Sequence, residues 1–316
     1  MKRWCVVLIA VIGVNFLFCA GCHLERRDAI ADAVAPVGPP EPHAEVIIRR
    51  ILAEVMKIRT QDPLAVPMAF WDFDGTIICG DSGFGLAKNG RILYHGLIEE
   101  MIKGGLNSVY RDAEDFKRWY RDYQYMASLG PWLAQAFDAQ MYVGVKAEKI
   151  DALCREVIRD QGFSSWYFSS SMAIWKALAE AGVDNCIVSA NADPLVRNLA
   201  PTLGIPPEKI RGVRVASENG CWTTKVLYPL PYGEGKAETV REMVQARQHG
   251  VAVAAFGNNY RTDKYFLRYV ATQSSLPGGA KGTAVMINGG SAQSGFTEHF
   301  ICVRQENVVG GKGAHQ

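Results

Sequence analysis

Trp71 to Thr76 reads WDFDGT, preceded by the apolar run AVPMAF and followed by IICGD, so two aspartates stand where a buried strand runs out into a loop. Such a strand fits an α/β sheet, whose chemistry collects at the carboxyl ends of its strands. Asp72 and Asp74 lie at i and i+2 of an extended segment, which lets both carboxylates face one pocket, and Gly75 permits a sharp turn beyond them. Two carboxylates at that spacing repel unless a cation or a shared proton offsets them. The pair therefore asks for a metal ion, and hard oxygen ligands make Mg²⁺ the natural choice. Taken alone, the stretch also reads as a plain strand ending in an Asp-Gly turn.

Three later segments decide against the plain turn. After the apolar run CIVS, from Cys186, comes Ser189-Ala190-Asn191, a hydroxyl and backbone N–H groups suited to phosphate oxygens. Lys236 follows two glycines just inside the start of a predicted helix, where it offers a fixed positive charge. VAVAAFGNNYRTD, from Val251, is a third apolar strand that breaks at glycine into polar residues ending in Asp263.

The order, spacing and residue types resemble the haloacid dehalogenase superfamily of phosphohydrolases, whose pattern is D-x-D-G-T, then Ser or Thr, then Lys, then Gly-Asp with a further Asp. Asp72, Asp74 and Thr76 match the first motif, Ser189 the second, Lys236 the third, and the fourth is matched in part. The resemblance runs from about Ala65 to about Gly290 and implies an α/β fold. The core would be a Rossmann-like, doubly wound parallel sheet with an inserted helical cap. It also implies roles. Asp72 would attack phosphorus and become an aspartyl-phosphate, and Asp74 would protonate the leaving oxygen and then activate water. Ser189, Ala190 and Lys236 would hold the phosphoryl group. Mg²⁺ would be held by Asp72, the backbone carbonyl of Asp74, Asp263 and Asn258.

The fourth motif departs from the pattern, reading Gly257-Asn258-Asn259-Tyr260-Arg261-Thr262-Asp263. Asn258 occupies the slot of a metal-binding carboxylate and brings no charge, which weakens affinity. The later acid, Asp263, falls one residue beyond the usual spacing, as in the subgroup resembling bacterial phosphorylcholine phosphatases, and is a metal ligand or an anchor behind one. Asp81, nine residues past Asp72, stands where phosphoserine-phosphatase relatives place an acid facing the leaving group. It reads equally as the N-cap of a helix from Gly83 onward. Glu218-Asn219-Gly220 is a hairpin turn between two strands.

Thr76 and Ser189 are more than a hundred positions apart, too far for a connection without structure of its own. The expected layout is a core over 46–82 and 164–290 and a helical cap over 83–163, where Phe116, Trp119, Tyr120 and Tyr123 keep helical spacing. Tyr94, Tyr110, Tyr125, Trp132, Tyr142, Trp166 and Tyr167 add aromatics, and Glu99 and Glu100 supply acids. Such a set suits either a cage for a quaternary ammonium or ordinary core packing with a solvated Glu pair.

Met1-Lys2-Arg3 is basic, Trp4 to Phe18 is apolar but for Asn15, and Cys19-Ala20-Gly21-Cys22 closes the run with small residues. That is an export signal; its end resembles the bacterial lipobox with acylation at Cys22, and a retained signal anchor or ordinary cleavage are the alternatives. Residues 23–45 are polar and Pro-rich, a tether, while Ile47, Ile48, Ile51, Leu52, Val55 and Met56 then set up a packed helix. Residues 291–316 form an extension, partly disordered, with strand character at Phe300 to Val303. The 316 residues, 48% hydrophobic with net charge +2, suit one core and one cap and point to no nucleic-acid partner. No protein partner is implied. Five of the eight cysteines remain beyond the signal and lipid positions, giving no disulfide framework, and the six histidines lack metal-ligand spacing.

The expected activity is thus an exported, membrane-tethered, Mg²⁺-dependent phosphomonoesterase acting on a small soluble ester, phosphorylcholine first. The alternatives are a phosphoserine phosphatase-like hydrolase, with Arg111, Arg118 or Arg121 as its carboxylate partner, and a surface binding lipoprotein whose metal site has decayed.

Overall fold

The structure, a computed structural model, describes residues 36–107, 109–273, 276–291 and 298–310. The expected signal and lipobox, and the tether up to residue 35, lie outside them.

Helix α1 (His43–Gln61) leads into strand β1 (Val66–Trp71). The insert follows, with β2 (Gly85–Lys88), β3 (Arg91–His95), α2 (Leu97–Lys103), α3 (Ala113–Leu129), α4 (Pro131–Gln140) and α5 (Ala147–Asp160). The chain re-enters the core through α6 (Ser169–Glu180), β4 (Asp184–Ala192) and two single turns, α7 (Asp193–Val196) and α8 (Ala200–Leu203). Then come β5 (Ile210–Glu218), β6 (Cys221–Leu227), α9 (Glu234–Ala246), β7 (Gly250–Gly257), α10 (Lys264–Ala271), β8 (Thr283–Ile287) and β9 (Phe300–Val303).

Seven strands form one sheet in the order β6-β5-β4-β1-β7-β8-β9, and every pair is parallel except β5 with β6. The sheet is covered on both faces, so its central strands read as unbroken apolar runs. Alternation then sorts the side chains. Met68 and Phe70 of β1 join Cys186 and Val188 of β4 in a cluster with Val240 of α9 and Phe266 of α10. Ala69 and Trp71 face the opposite way and pack with Ile51 of α1 and Ile174 of α6. Trp71 stacks on Phe256 at 3.6 Å between ring centroids. Ile47, Ile51, Val55 and Ile58 form the inward stripe of α1, whereas Met56, expected in the core, is 71% exposed.

The insert differs from the helical expectation at its start. Residues after Gly83 make no helix; they enter the antiparallel β2–β3 ribbon, closed by Asn89 and Gly90, both at positive φ. Asn-Gly is the residue pair such a two-residue turn demands. Asn219 and Gly220 close the β5–β6 hairpin by the same chemistry, as expected from sequence. Helix α4 crosses back from the insert to pack on β4, β5 and β6.

The two ends of the described chain meet. Val37 pairs with Val308, and Glu41 Oε1 accepts the backbone N–H groups of Glu306 and Asn307 at 2.8 and 2.9 Å. The cysteines at 79, 154, 186, 221 and 302 are all free thiols. No helix among the described residues is long and apolar enough to cross a membrane.

Candidate active site

Asp72 is the first residue past β1, Asn258 the first past β7, and Ser189 sits near the carboxyl end of β4, so three neighbouring strands deliver their polar groups to one edge of the sheet. Lys236 enters from the third position of α9 and Asp263 from the residue before α10.

Lys236 joins them. Its ammonium donates to Asp72 Oδ1 at 2.6 Å and to Asp263 Oδ1 at 2.7 Å, with all three residues buried. Asp72 Oδ2 accepts the Thr76 hydroxyl at 3.0 Å. Burial alone would strip the proton from Lys236, but Asp263 and Asp72 hold it and raise its pKa, so the group stays an ammonium. Burial, and then the Asp263 carboxylate, push the Asp72 carboxyl up to about 6, against the pull of Lys236 and Thr76.

Asp74 is the other half of the pair. Asp74 Oδ1 accepts the Ser82 N–H at 2.5 Å, and Oδ2 accepts Asn191 Nδ2 at 2.8 Å. Burial, then Asp81 and Asp72, hold its carboxyl well above the usual carboxylate range. A carboxyl shifted in that direction holds its proton more readily than a free one, which suits the role of acid towards a leaving oxygen. The loop beyond is pinned from several sides: Ser171 Oγ donates to the Thr76 carbonyl, the Phe168 N–H to that of Ile77 and the Tyr94 hydroxyl to that of Cys79. Gly75, at φ +70°, leaves no room for a Cβ, which would run into the Asn258 side-chain amide.

The predicted residues fall into two groups, those gathered at the sheet edge and Asp81. Asp72, Asp74, Ser189, Lys236, Asn258 and Asp263 gather at one edge, and Ser189 Oγ accepts the Asn191 N–H at 3.1 Å, within the irregular last stretch of β4 that includes Ala190. Asp263 is committed on both oxygens: Oδ2 accepts the N–H groups of Asn258 and Asn259, each at 2.9 Å, while Oδ1 takes Lys236. Those bonds fit the anchor reading of this residue better than the ligand reading. Asp81 Oδ1 accepts the N–H groups of Gly83 and Phe84 at 2.8 and 2.9 Å, so it does cap a turn, though that turn leads into β2 and not into a helix.

Oxygen donors available for a cation are the Asp72 carboxylate, the Asp74 carbonyl and the Asn258 amide. That donor set, all hard oxygen, fits a divalent ion such as Mg²⁺.

The cap aromatics divide differently. Tyr94, Trp166, Tyr167 and Tyr142 are buried packing residues, Tyr125 and Trp132 are exposed, and Glu99 and Glu100 are taken up by Lys103 at 2.8 and 3.0 Å, with Glu99 also on His95. None of these forms a cage. Arg118 pairs with Asp115 at 2.9 Å and lies over the Tyr110 ring.

Sequence reasoning passed over Asn191 and Ser82 as partners of Asp74, and Asp138 in α4 altogether. Asp138 is 1% exposed and its Oδ1 has no hydrogen-bond partner. An acid among the buried Ala134, Ala136 and Ala139 of one short helix was the available signal.

A sequence profile of haloacid dehalogenase-like hydrolases matches residues 69–268. No match was found among curated proteins. Among solved structures, the chain is similar to a conserved functionally unknown protein from Anaerococcus prevotii DSM 20548, at 15% identity over 78% of this chain and 86% of that one, with a TM-score of 0.52. It is similar also to a protein of unknown function from Bordetella pertussis Tohama I, at 15% identity over 72% and 92%, TM-score 0.55. A phosphoserine phosphohydrolase-like protein from Francisella tularensis subsp. tularensis SCHU S4 aligns at 13% identity over 70% and 87%, TM-score 0.42. At these identities the likeness to solved structures is one of fold. With three motifs at the ends of the neighbouring strands β4, β1 and β7, Lys236 entering from α9, and the profile spanning 69–268, the chain belongs to the haloacid dehalogenase-like hydrolase family.

Proposed function

We propose that the chain is an exported, Mg²⁺-dependent phosphomonoesterase that hydrolyses a small phosphate ester through an aspartyl-phosphate on Asp72. The observation that carries this reading is the bridge from Lys236 to Asp72 Oδ1 and Asp263 Oδ1, at 2.6 and 2.7 Å, beside a second carboxyl held above its usual range. Asp72 attacks phosphorus in line with the ester oxygen, and Asp74 gives that oxygen its proton as the P–O bond breaks. Asp74 then takes a proton from the water that attacks the aspartyl-phosphate, which returns Asp72 and releases phosphate. Lys236 and the Ser189-Ala190-Asn191 segment at the end of β4 hold the phosphoryl oxygens throughout. Mg²⁺, held by Asp72, the Asp74 carbonyl and Asn258, would neutralise phosphoryl charge. Asn258 makes that ion weakly bound, so activity should call for a higher Mg²⁺ concentration than a site with a third carboxylate, and Asn258→Asp should lower it.

Phosphorylcholine or a related amino-alcohol phosphate is the substrate the sequence resemblance favours. A phosphoserine-like ester would need a cation for its carboxylate, and of the three arginines weighed for that role Arg118 is already paired with Asp115. Export rests on the N-terminal run ending at Cys22. Turnover of a chromogenic phosphate ester with and without Mg²⁺, in wild type and Asp72→Asn, tests the chemistry: turnover should require both the metal and the carboxylate. Metal-independent silence of the intact protein across a panel of phosphate esters would instead favour a binding role. Membrane fractionation of wild type against Cys22→Ser tests the anchor, and an unchanged distribution would remove it.

A further inference from the structure

Four stretches far apart in sequence lie side by side behind the loop that follows Asp72. Ile78 pairs with Tyr167, Phe168 with Val308, and Val308 with Val37. The loop is thus backed by the segment that re-enters from the insert, and that segment by the two ends of the described chain.

Three serines at the start of α6 cross this seam, and all three are buried. Ser169 Oγ donates to the Gly38 carbonyl at 2.7 Å and Ser170 Oγ to Glu41, both in the N-terminal stretch. Ser171 Oγ turns the other way, donating to the Thr76 carbonyl at 2.6 Å, and stands 3.0 Å from Gln305 Oε1, which also takes the Ser171 N–H at 3.3 Å. Gln305 is 3% exposed and is clamped to the residue after β8. Its N–H donates to Asn288 Oδ1 at 2.8 Å, and its carbonyl accepts Asn288 Nδ2 at 3.0 Å. Its own Nε2 has no partner, and a buried amide left so costs stability. Packing alone therefore gives no reason for Gln305, whereas its contact with the one serine that reaches the nucleophile loop does.

Thr76 carries that contact to the reacting group. Its carbonyl is held by Ser171, and its hydroxyl donates to Asp72 Oδ2 at 3.0 Å while Lys236 occupies Oδ1. The two bonds fix the rotation of the Asp72 carboxyl. A nucleophile must meet phosphorus in line, and a misplacement of about 1 Å can cost about 10²-fold in rate. We propose that Gln305, acting through Ser171 and Thr76, is a positioning residue for Asp72, which makes the C-terminal segment a working part of the active site. The inference rests on the phosphomonoesterase reading and adds to it a residue from the far end of the described chain that touches neither the ester nor Asp72.

The test uses the full chain with Mg²⁺ and a chromogenic phosphate ester. Gln305→Met keeps the shape and removes the polar end. It should lower kcat on the order of 10-fold with KM within about 2-fold of wild type, since it disturbs the nucleophile and not the hold on the ester. Ser171→Ala should do the same, and Ser171→Thr, which keeps the hydroxyl, should recover most of the loss. Ser169→Ala deletes a buried hydroxyl of the same seam that holds Gly38 instead of Thr76, so its kcat should match wild type. In a Thr76→Val background, where the link to Asp72 is already cut, Gln305→Met should cost no more than about 2-fold further. A kcat unmoved by Gln305→Met, an equal fall in Ser169→Ala, or an undiminished fall on top of Thr76→Val overturns the positioning role and leaves the phosphatase standing. A wild type that turns over no ester removes the phosphatase reading, and hydrogen exchange then reads the link. The amides of residues 75–78, bonded within their own loop, should exchange faster in Gln305→Met than in Ser169→Ala, and equal rates would overturn the link as well. Should Gln305→Met fail to fold, Ser171→Ala against Ser171→Thr decides by the same kcat and KM.

Discussion

Lys236 is the residue on which the site's charge balance turns, since two buried carboxylates share its ammonium. Removing one member of such a set leaves uncompensated charge in the interior, which costs about 3–5 kcal/mol. Lys236→Ala should therefore lower unfolding stability by that order as well as abolish turnover, and urea denaturation at neutral pH measures it. A stability within about 1 kcal/mol of wild type would mean that the bridge does not hold these elements together. Asp138 behaves oppositely. Burial and then Asp81 push its carboxyl up to about 8 from an ordinary 3.8, so the folded chain keeps a proton that the unfolded chain has lost. The stability tied to that proton is full below the lower value and falls away as pH rises through the upper one. Asp138→Asn keeps shape and drops the titration, so its stability relative to wild type should climb between about pH 4 and about pH 8. Denaturation across that span checks it, and a flat difference would mean that Asp138 titrates normally.

At the scale of elements, the core was legible because its strands are buried on both faces and therefore announce themselves as apolar runs ending in glycine and polar residues. AVPMAF, CIVS and VAVAAFG became β1, β4 and β7, and the motif residues follow from their ends. The insert was harder to read. Helical spacing around Trp119 and Tyr123 was visible in sequence, but β2 and β3 are too short for periodicity to show and only Asn89-Gly90 marks them. Asp138 was missed for a related reason: its one local signal, the alanines around it in a short helix, looks the same on a wet helix face. The clasp between the chain ends was equally hidden, because contacts such as Glu41 with Glu306 and Asn307 span most of the sequence. Glu41 Oε2 also takes the Ser170 hydroxyl. Glu41→Ala should strand those N–H groups at a cost of about 1–3 kcal/mol. Hydrogen exchange at residues 306–308 should quicken, while the amides of β1 and β7 keep their protection. Faster exchange throughout the sheet would place the clasp inside the global unfolding unit.

For the whole molecule, a parallel sheet brings together residues that the sequence scatters over Asp72 to Asp263, and the insert returns through α4 to lay Asp138 near the same edge. The motif residues thus gather at the strand ends, and α4 of the insert packs beside them on β4, β5 and β6. The arrangement depends on Asp72 accepting the phosphoryl group itself, with Asp74 moving protons. Rapid acid quench of the enzyme during turnover of a phosphate ester with Mg²⁺, followed by mass spectrometry of the peptide that carries WDFDGT, observes that step directly. A phosphoryl group on Asp72, absent from Asp72→Asn and lost once the ester is exhausted before the quench, is the predicted result. Turnover that leaves Asp72 unmodified under trapping conditions, or that persists in Asp72→Asn, would contradict it.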